Sequence, residues 1–380
     1  MHLVDTTVFF SPTSGGVRRY LTAKHDWLRR HTPHRHTLLV PGAINELRPG
    51  ALSTIAGWKV PGTFNYRLPL APVRWAHMLS VLDPDLIEVG DAFHPLWSAA
   101  SVARRLRIPL VAFFHSNLPR LVAQRCGQLI GSGFARYLRM AYERCDLVLT
   151  PSREMSDCLG DLGIRHTALQ PLGVDTEVFS PGRRTLDLRR ELRLPEDCRL
   201  LVYAGRFSGE KNIPVLHAAL RQLGDRYHLL LVGGGEQKHV ARNVTVLPYR
   251  RDAIELATWI ASCDALVHAG DRETFGLIVL EAMACGRPVV ATRAGAIPEH
   301  VDESVGMLAA PNDPADMAAA IAALYERDIE VLGAAARARV LRRYTWSQAL
   351  RVELAHYARI SGRTFAVNAD PDEFELSSTR

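Results

Sequence analysis

Short, nearly continuous apolar runs recur along the chain, at 37–40 (TLLV), 86–89 (LIEV), 110–114 (LVAFF) and 147–149 (LVL), then at 200–204, 228–232, 265–268 and 288–291. Runs of this length without polar alternation predict strands buried on both faces. The segments between them carry helical spacing, so the pattern predicts an α/β protein built on parallel sheets. Near the middle, QPLGVDTEVFSPGRR at 170–184 concentrates proline, glycine and polar residues before a new series of strands and helices begins. That break predicts two domains, residues 1–172 and 173–345, each large enough for a doubly wound, Rossmann-like sheet. Such sheets bind ligands at the carboxyl ends of their strands, here expected in a cleft where the halves meet. Residues 346–360 (WSQALRVELAHYARI) place Leu350, Leu354 and Tyr357 on one face beside Ala349 and Ala358, an amphipathic helix with Thr345 as its cap, expected to dock on a core. The remainder, 361–380, is polar and broken by proline and reads as a flexible tail.

Composition adds limits to this picture. With 47% apolar and 23% charged residues the chain is of ordinary globular make-up, which excludes disorder or a fibrous repeat as its main state. No stretch approaches the roughly 18–20 uninterrupted apolar residues of a membrane-spanning helix. Asp5 stands where a secretory signal would be basic, so export by that route is not expected. Six cysteines (Cys126, Cys145, Cys158, Cys198, Cys263, Cys285) without a CxxC pair fit reduced thiols in a cytoplasm. The formal charge of +6 lies wholly in residues 1–180, which hold 20 basic against 14 acidic side chains, whereas 181–380 hold 26 of each. Of the 46 basic residues 42 are arginine, a bias read as genomic composition, so the four lysines (Lys24, Lys59, Lys211, Lys238) are the cations worth placing one by one.

Candidate chemistry is densest in HAGDRETFGLIVLEAMACGRPVVAT, residues 268–292. The run Phe275 to Cys285 is apolar on nearly every face, as a buried helix would be, and Gly286 with Pro288 stops it. Glu281 interrupts it, and a buried carboxylate needs hydrogen-bond donors. A ribose diol and a neighbouring arginine both meet that need. Glu273 lies eight residues earlier in the loop before the helix, about 10 Å away along it. Between the two, the amides of Thr274, Phe275, Gly276 and Leu277 open the helix and form an anion site. Sugar, diphosphate and ribose fit that order. In LLVYAGRFSGEKN (200–212) a buried strand empties into Gly205 and Arg206, with Lys211 at the start of the next helix, a cation pair suited to a diphosphate leaving group. The turn in LLLVGGGE (229–236) reaches the same sheet edge without the spacing of a nucleotide fingerprint.

In the first half, Gly15 and Gly16 precede a helix with apolar spacing at Val17, Tyr20, Leu21 and Leu28, and bare amides there admit a phosphate; a simple turn is the other reading. His115 ends the run LVAFF, and Asp91 and His94 follow LIEV, all at expected strand ends. Asp83-Pro84-Asp85 spells a metal-binding DxD but reads as a turn. His31, His34 and His36 lack metal-ligand spacing and read as a polar surface loop, so no metal site is expected.

These residues resemble a retaining, nucleotide-sugar-dependent glycosyltransferase of glycosyltransferase family 4, over about residues 1–360 and most specifically over 200–299. The resemblance implies the GT-B fold, with two Rossmann-like domains facing across a cleft, and transfer of a hexose such as mannose or glucose to a glycan or lipid-linked hydroxyl without metal or cofactor. It implies that Glu273 contacts the donor sugar, Glu281 the ribose, Arg206 and Lys211 the diphosphate, Gly15 and Gly16 the phosphate side and His115 the sugar. It further implies a GDP- or UDP-linked donor whose base sits near 247–252 (LPYRRD), and a helix at 346–360 that braces the first domain.

For the acceptor, Phe134, Tyr137, Leu138, Ala141, Tyr142 and Cys145 form an apolar stripe flanked by Arg136, Arg139 and Arg144, with Arg104, Arg105, Arg107, Arg120 and Arg125 nearby in sequence. An anionic membrane surface and an ordinary core helix both fit that stripe. A peripheral position on the inner face of the membrane follows from the first of these. Nucleic acid is a poor partner despite a pI near 9.1, because no aromatic platform accompanies the basic residues. The competing classes are a nucleotide-sugar 2-epimerase of the same architecture and a non-catalytic nucleotide-sugar-binding protein.

Overall fold

The computed structural model of the chain describes all residues except 12–14, 62–65, 70, 186, 235–237, 249–251 and 369–380. Two compact units result, Met1–Pro171 with Ala349–Arg380, and Leu172–Gln348. The first is built on β1 (His2–Thr6), β2 (Arg35–Gly42), β3 (Leu52–Ala56), a small antiparallel hairpin β4 (Trp58–Lys59) and β5 (Arg67–Leu68), then β6 (Leu86–Val89), β7 (Leu110–Phe113), β8 (Leu147–Thr150) and β9 (Thr167–Leu169). Its main sheet runs in the order β3-β2-β1-β6-β7-β8-β9. All its pairs are parallel.

The second unit repeats the plan with β10 (Arg199–Ala204), β11 (Tyr227–Gly234), β12 (Lys238–Ala241), β13 (Val244–Pro248), β14 (Ala265–His268), β15 (Val289–Thr292) and β16 (Gly306–Ala309), in the order β12-β13-β11-β10-β14-β15-β16. Only β12, antiparallel to β13, departs from parallel pairing. In each sheet the chain winds outward from its first strand and then returns to that strand's other side. The order therefore reverses between β1 and β6, and again between β10 and β14. At such a reversal the loops leaving neighbouring strands diverge and open a crevice at the strands' carboxyl ends.

Near-continuous apolar strands announce themselves in sequence; β1 does not, because HLVDT buries three polar side chains. His2 is satisfied there by the Leu82 carbonyl at 2.8 Å and Thr37 Oγ1 at 2.7 Å. Asp5 is satisfied by an ion pair. Lys24, 1% exposed in the helix Gly16–His31, points its ammonium at Asp5 Oδ2 (2.7 Å), Glu88 Oε1 of β6 (3.3 Å) and Glu353 Oε1 of the helix Trp346–Ser361 (2.5 Å). It also donates to Tyr357 Oη at 2.7 Å. Tyr357 Oη in turn lies 2.5 Å from Glu88 Oε2 and 2.5 Å from Glu353 Oε1. This buried charge set fastens the terminal helix to the first sheet; Tyr357, Leu354 and Leu350 bury the apolar face that accompanies it.

Two expectations change. The histidine segment is not a surface loop: residues from Arg35 form β2, and His36 is buried with Nε2 3.4 Å from Asp5 Oδ2 and Nδ1 3.1 Å from His25 Nδ1. Pairing of β2 with β1 dictates this, since it places His36 in the register that faces the Asp5 layer. The stretch after Ser361 is not loose where it is described: Arg363 pairs with Asp85, Phe365 packs edge-on against His34, and the Asn368 amide donates to the His31 carbonyl at 2.7 Å. Residues 369–380 lie outside the described residues. Of the two readings of the stripe at 134–145 the core helix holds, with Leu138, Ala141, Tyr142 and Cys145 in the core and Phe134 and Tyr137 packed against it. Among the described residues no helix is long and apolar enough to cross a membrane.

Candidate functional site

In the second unit the loops leaving β10 and β14 carry the predicted cations and carboxylate. Gly205 and Arg206 follow β10 directly, and Arg206 is exposed. A short 3-10 turn, Gly209–Lys211, then brings Lys211 back towards the sheet. From β14 the chain runs through Gly270 to Glu273, and the Lys211 ammonium binds Glu273 Oε1. Sixty-two positions of sequence thus close to one ion pair at the crevice. Burial pushes the Glu273 carboxyl up, but a hydrogen bond from His268 and the Lys211 charge outweigh it and hold the group well below the usual carboxylate range. Glu210 sits beside them. Burial raises its carboxyl, but the bond from Ser208 Oγ, with the charges of Lys211 and Arg206, brings it below its ordinary value. Both cations therefore lie within electrostatic reach of one spot.

Glu273 is also fixed through its backbone. Its carbonyl accepts from the Ala296 amide at 2.9 Å, and Gly295, at φ +57, passes so near that an added Cβ would stand 2.6 Å from that carbonyl oxygen. The helix Leu277–Ala284 then begins at Gly276, whose left-handed φ of +87 suits glycine, with no side chain capping its first amides. Phe275 turns into the core against His300 (ring centroids 4.7 Å) and Tyr344, so only its backbone is left for a ligand. Glu281 is buried at 2% exposure within that helix. Of the loop 247–252, residues 249–251 lie outside the described residues.

In the first unit Gly15 precedes the helix Gly16–His31 as its N-cap residue, with φ −81, outside the left-handed region. A Cβ there would meet nothing within 4 Å. Packing therefore does not require glycine at 15, and the turn and the phosphate site both remain compatible with it. Tyr20 of the same helix packs on His115 at 5.4 Å, and Phe113 stacks on that ring at 4.0 Å. The imidazole is pushed down to about 3 by burial and the nearby Lys24 charge, so it is neutral, and its Nε2 has no hydrogen-bond partner among the described residues. Asp91 is structural: it accepts from Thr7 Oγ1 (2.8 Å) and the amides of Val8 (2.7 Å) and Phe93 (3.0 Å), stapling the loops after β1 and β6 together. His94 packs edge-on against Trp75. Asp83 ends a helix in left-handed geometry and Asp85 accepts from the His2 amide at 2.7 Å, so the DxD is a helix-ending turn.

The roles of two residues escaped sequence reasoning. Lys24 stands out only as one of four lysines, and nothing local shows its partners, which come from three other elements. His268 had a local signal: it ends a buried strand in the second half as His115 follows one in the first.

Comparison with known proteins agrees with this layout. Residues 14–178 match the family described as Glycosyltransferase Family 4, and residues 198–327 that described as Glycosyl transferases group 1. Over 376 residues the chain is 32% identical to the GDP-mannose-dependent alpha-(1-6)-phosphatidylinositol dimannoside mannosyltransferase of Mycobacterium tuberculosis, covering 93% of this chain and 95% of that one. It is 28% identical to a GDP-mannose-dependent alpha-mannosyltransferase of Corynebacterium glutamicum, covering 79% of this chain and 74% of that one. Among solved structures, sucrose-phosphate synthase from Thermosynechococcus elongatus is similar with a TM-score of 0.78 at 22% identity, over 95% of this chain and 100% of that one. Anabaena HepE in complex with UDP gives 0.74 at 20% identity, over 94% and 100%. With two wound parallel sheets, matches along both halves and a relative aligned over nearly its whole length, the chain belongs to glycosyltransferase family 4 and is a glycosyltransferase of the GT-B fold.

Proposed function

We propose that the chain transfers a mannosyl residue from GDP-mannose, with retention of anomeric configuration and without a metal ion, to a hydroxyl of a glycan or lipid-linked acceptor. The observation that carries this reading is the meeting of Lys211 with Glu273, beside Arg206, at the reversal of the second sheet. The names of the mycobacterial and corynebacterial relatives support the donor, and the first of them supports an acceptor presented on a lipid.

In this reading Arg206, Lys211 and the amides of Thr274 to Leu277 offset the charge that grows on the departing diphosphate, and leaving-group departure is the assisted step. Glu273, ionised throughout the neutral range, accepts hydroxyl protons of the donor sugar, and Glu281 accepts those of the ribose. In the first unit, Gly15 and Gly16 are assigned to phosphate and the neutral His115 to a sugar hydroxyl. Retention without a covalent intermediate has the acceptor hydroxyl attack from the face the diphosphate leaves.

A cytoplasmic site, peripheral to an anionic membrane, rests on different residues from the buried stripe. Leu129 (91% exposed) and Ile130 (58%) stand on the first turn of the helix Gln128–Tyr142, with Arg120 and Arg136 exposed in the same region. Vesicles with acidic lipid should retain the protein at low salt and release it at high salt. Equal retention by neutral vesicles counts against this attachment.

The test of transfer is incubation with GDP-mannose, GDP-glucose, UDP-glucose or UDP-galactose and a mannosylated phosphoinositide acceptor, with and without EDTA, reading products by mass spectrometry and anomeric configuration by NMR. Turnover with GDP-mannose, an α-linked product and indifference to EDTA are expected. Change of the donor's own configuration in the absence of acceptor would mark an epimerase and overturn the reading.

A further inference from the structure

The Glu273 carboxylate is held by two groups of very different mobility. Lys211 reaches it from the end of a four-carbon stem, and its side chain is 17% exposed. His268 reaches it from inside the sheet: it is the last residue of β14, paired with Ala291 of β15, and 1% exposed. Its Nε2 lies 3.1 Å from Glu273 Oε1, while its Nδ1 accepts the Gly270 amide at 3.2 Å. A ring nitrogen that accepts an N–H carries no proton, so in the neutral imidazole the proton is on Nε2, aimed at Glu273. Gly270 secures this arrangement twice. It supplies the N–H, and any Cβ at that position would stand 2.6 Å from His268 Cε1 and displace the ring.

The difference in mobility matters when a donor binds. The reading of Lys211 as a diphosphate ligand requires its charge to turn from Glu273 toward a second, stronger anion. A carboxylate beside that anion and deprived of its ammonium is repelled, unless another donor keeps it in place. We propose that His268 is the positioning residue for transfer, holding Glu273 against the donor sugar while Lys211 serves the diphosphate. This rests on the reading of Glu273 as a sugar ligand.

The experiment compares His268→Gln, which keeps an N–H within reach of the Nε2 position, with His268→Phe, which keeps a ring and removes the donor. Both are measured beside Glu273→Ala in the full-length protein. GDP-mannose is the donor, and GDP binding by calorimetry is the control for an intact second unit. The expected result is a loss of kcat on the order of 10²-fold in H268F with GDP affinity retained, the size a small misplacement at a reacting centre produces. Recovery to within roughly tenfold of wild type is expected in H268Q. In an E273A background H268F should cost nothing further, because its effect passes through the missing carboxylate.

Wild-type turnover in H268F, or H268Q no better than H268F while both bind GDP, overturns the assignment of His268 and leaves Glu273 standing. Wild-type turnover in E273A removes the role of Glu273 itself, and the assignment of His268 falls with it. If H268F fails to bind GDP, Gly270→Ala displaces the ring from the other side, and full kcat in that variant overturns the proposal.

Discussion

Lys24 and Lys211 both end in carboxylates, and their surroundings differ in a way that separates what builds the chain from what works in it. Lys24 is sealed in the first unit among Asp5, Glu88 and Glu353, with Tyr357 as a further partner and Tyr20 Oη 3.4 Å away. Lys211 in the second unit binds the Glu273 carboxylate, with Glu210 in reach of its charge, and keeps an edge open to solvent. A fully buried ammonium with every direction filled has nowhere to go; moving it would strand three acids in a low dielectric. A half-open ion pair at a sheet reversal can trade one anion for another. The same residue type is thus a rivet in one place and a switchable contact in the other, and the number of satisfied directions around the nitrogen tells them apart.

The largest effect should come from breaking the rivet. Lys24→Met leaves buried carboxylates uncompensated and should destabilise the protein by about 3–5 kcal/mol, read by denaturant unfolding. A loss under about 1 kcal/mol would show that water or protonation relieves the cluster. Lys211→Met should instead lower kcat on the order of 10²-fold or more, about 2.7–4 kcal/mol of transition-state stabilisation, with a far smaller change in unfolding midpoint. If the two variants exchanged these signatures, the distinction would collapse. Tyr357→Phe should cost about 1.5–3 kcal/mol of stability, the range for hydrogen bonds to charged groups, while kcat per folded molecule stays at the wild-type value.

The smallest effect depends on pH. Burial pushes the Glu88 carboxyl above its ordinary 4.5; the Lys24 charge pulls it down, but Glu353 and Asp5 oppose that pull. A group whose value is raised on folding stabilises the native state fully below its unfolded value, and that contribution is lost as pH climbs towards the folded one. Glu88→Gln lacks this dependence. Its stability relative to wild type should therefore improve from about pH 6 to about pH 7, by no more than about 1.4 kcal/mol. A relative stability that stays flat over this range would mean that Glu88 is ionised in the native protein.

How much of this was legible in the chain follows from the same contrast. The sheets show where strands are continuous apolar runs, and the segment from Glu273 to Glu281 shows because a carboxylate in an apolar helix is locally out of place. Lys211 and Glu273 could each be singled out for that reason, although their contact spans 62 positions. β1 and His36 were misread or missed because buried polar groups satisfied by distant partners look, in sequence, like surface. Lys24 is the extreme case: its spacing in the helix is unremarkable, and only folding assembles its partners. His268 was within reach, had strand-end histidines been compared between the two halves.

Glu353 and Tyr357 stand more than three hundred positions beyond Tyr20 and Lys24. On the ribosome, the first unit therefore emerges with its central ammonium lacking two of its partners until more than three hundred further residues have been made. A product truncated ahead of residue 353 would carry its defect far from the cut, around Lys24.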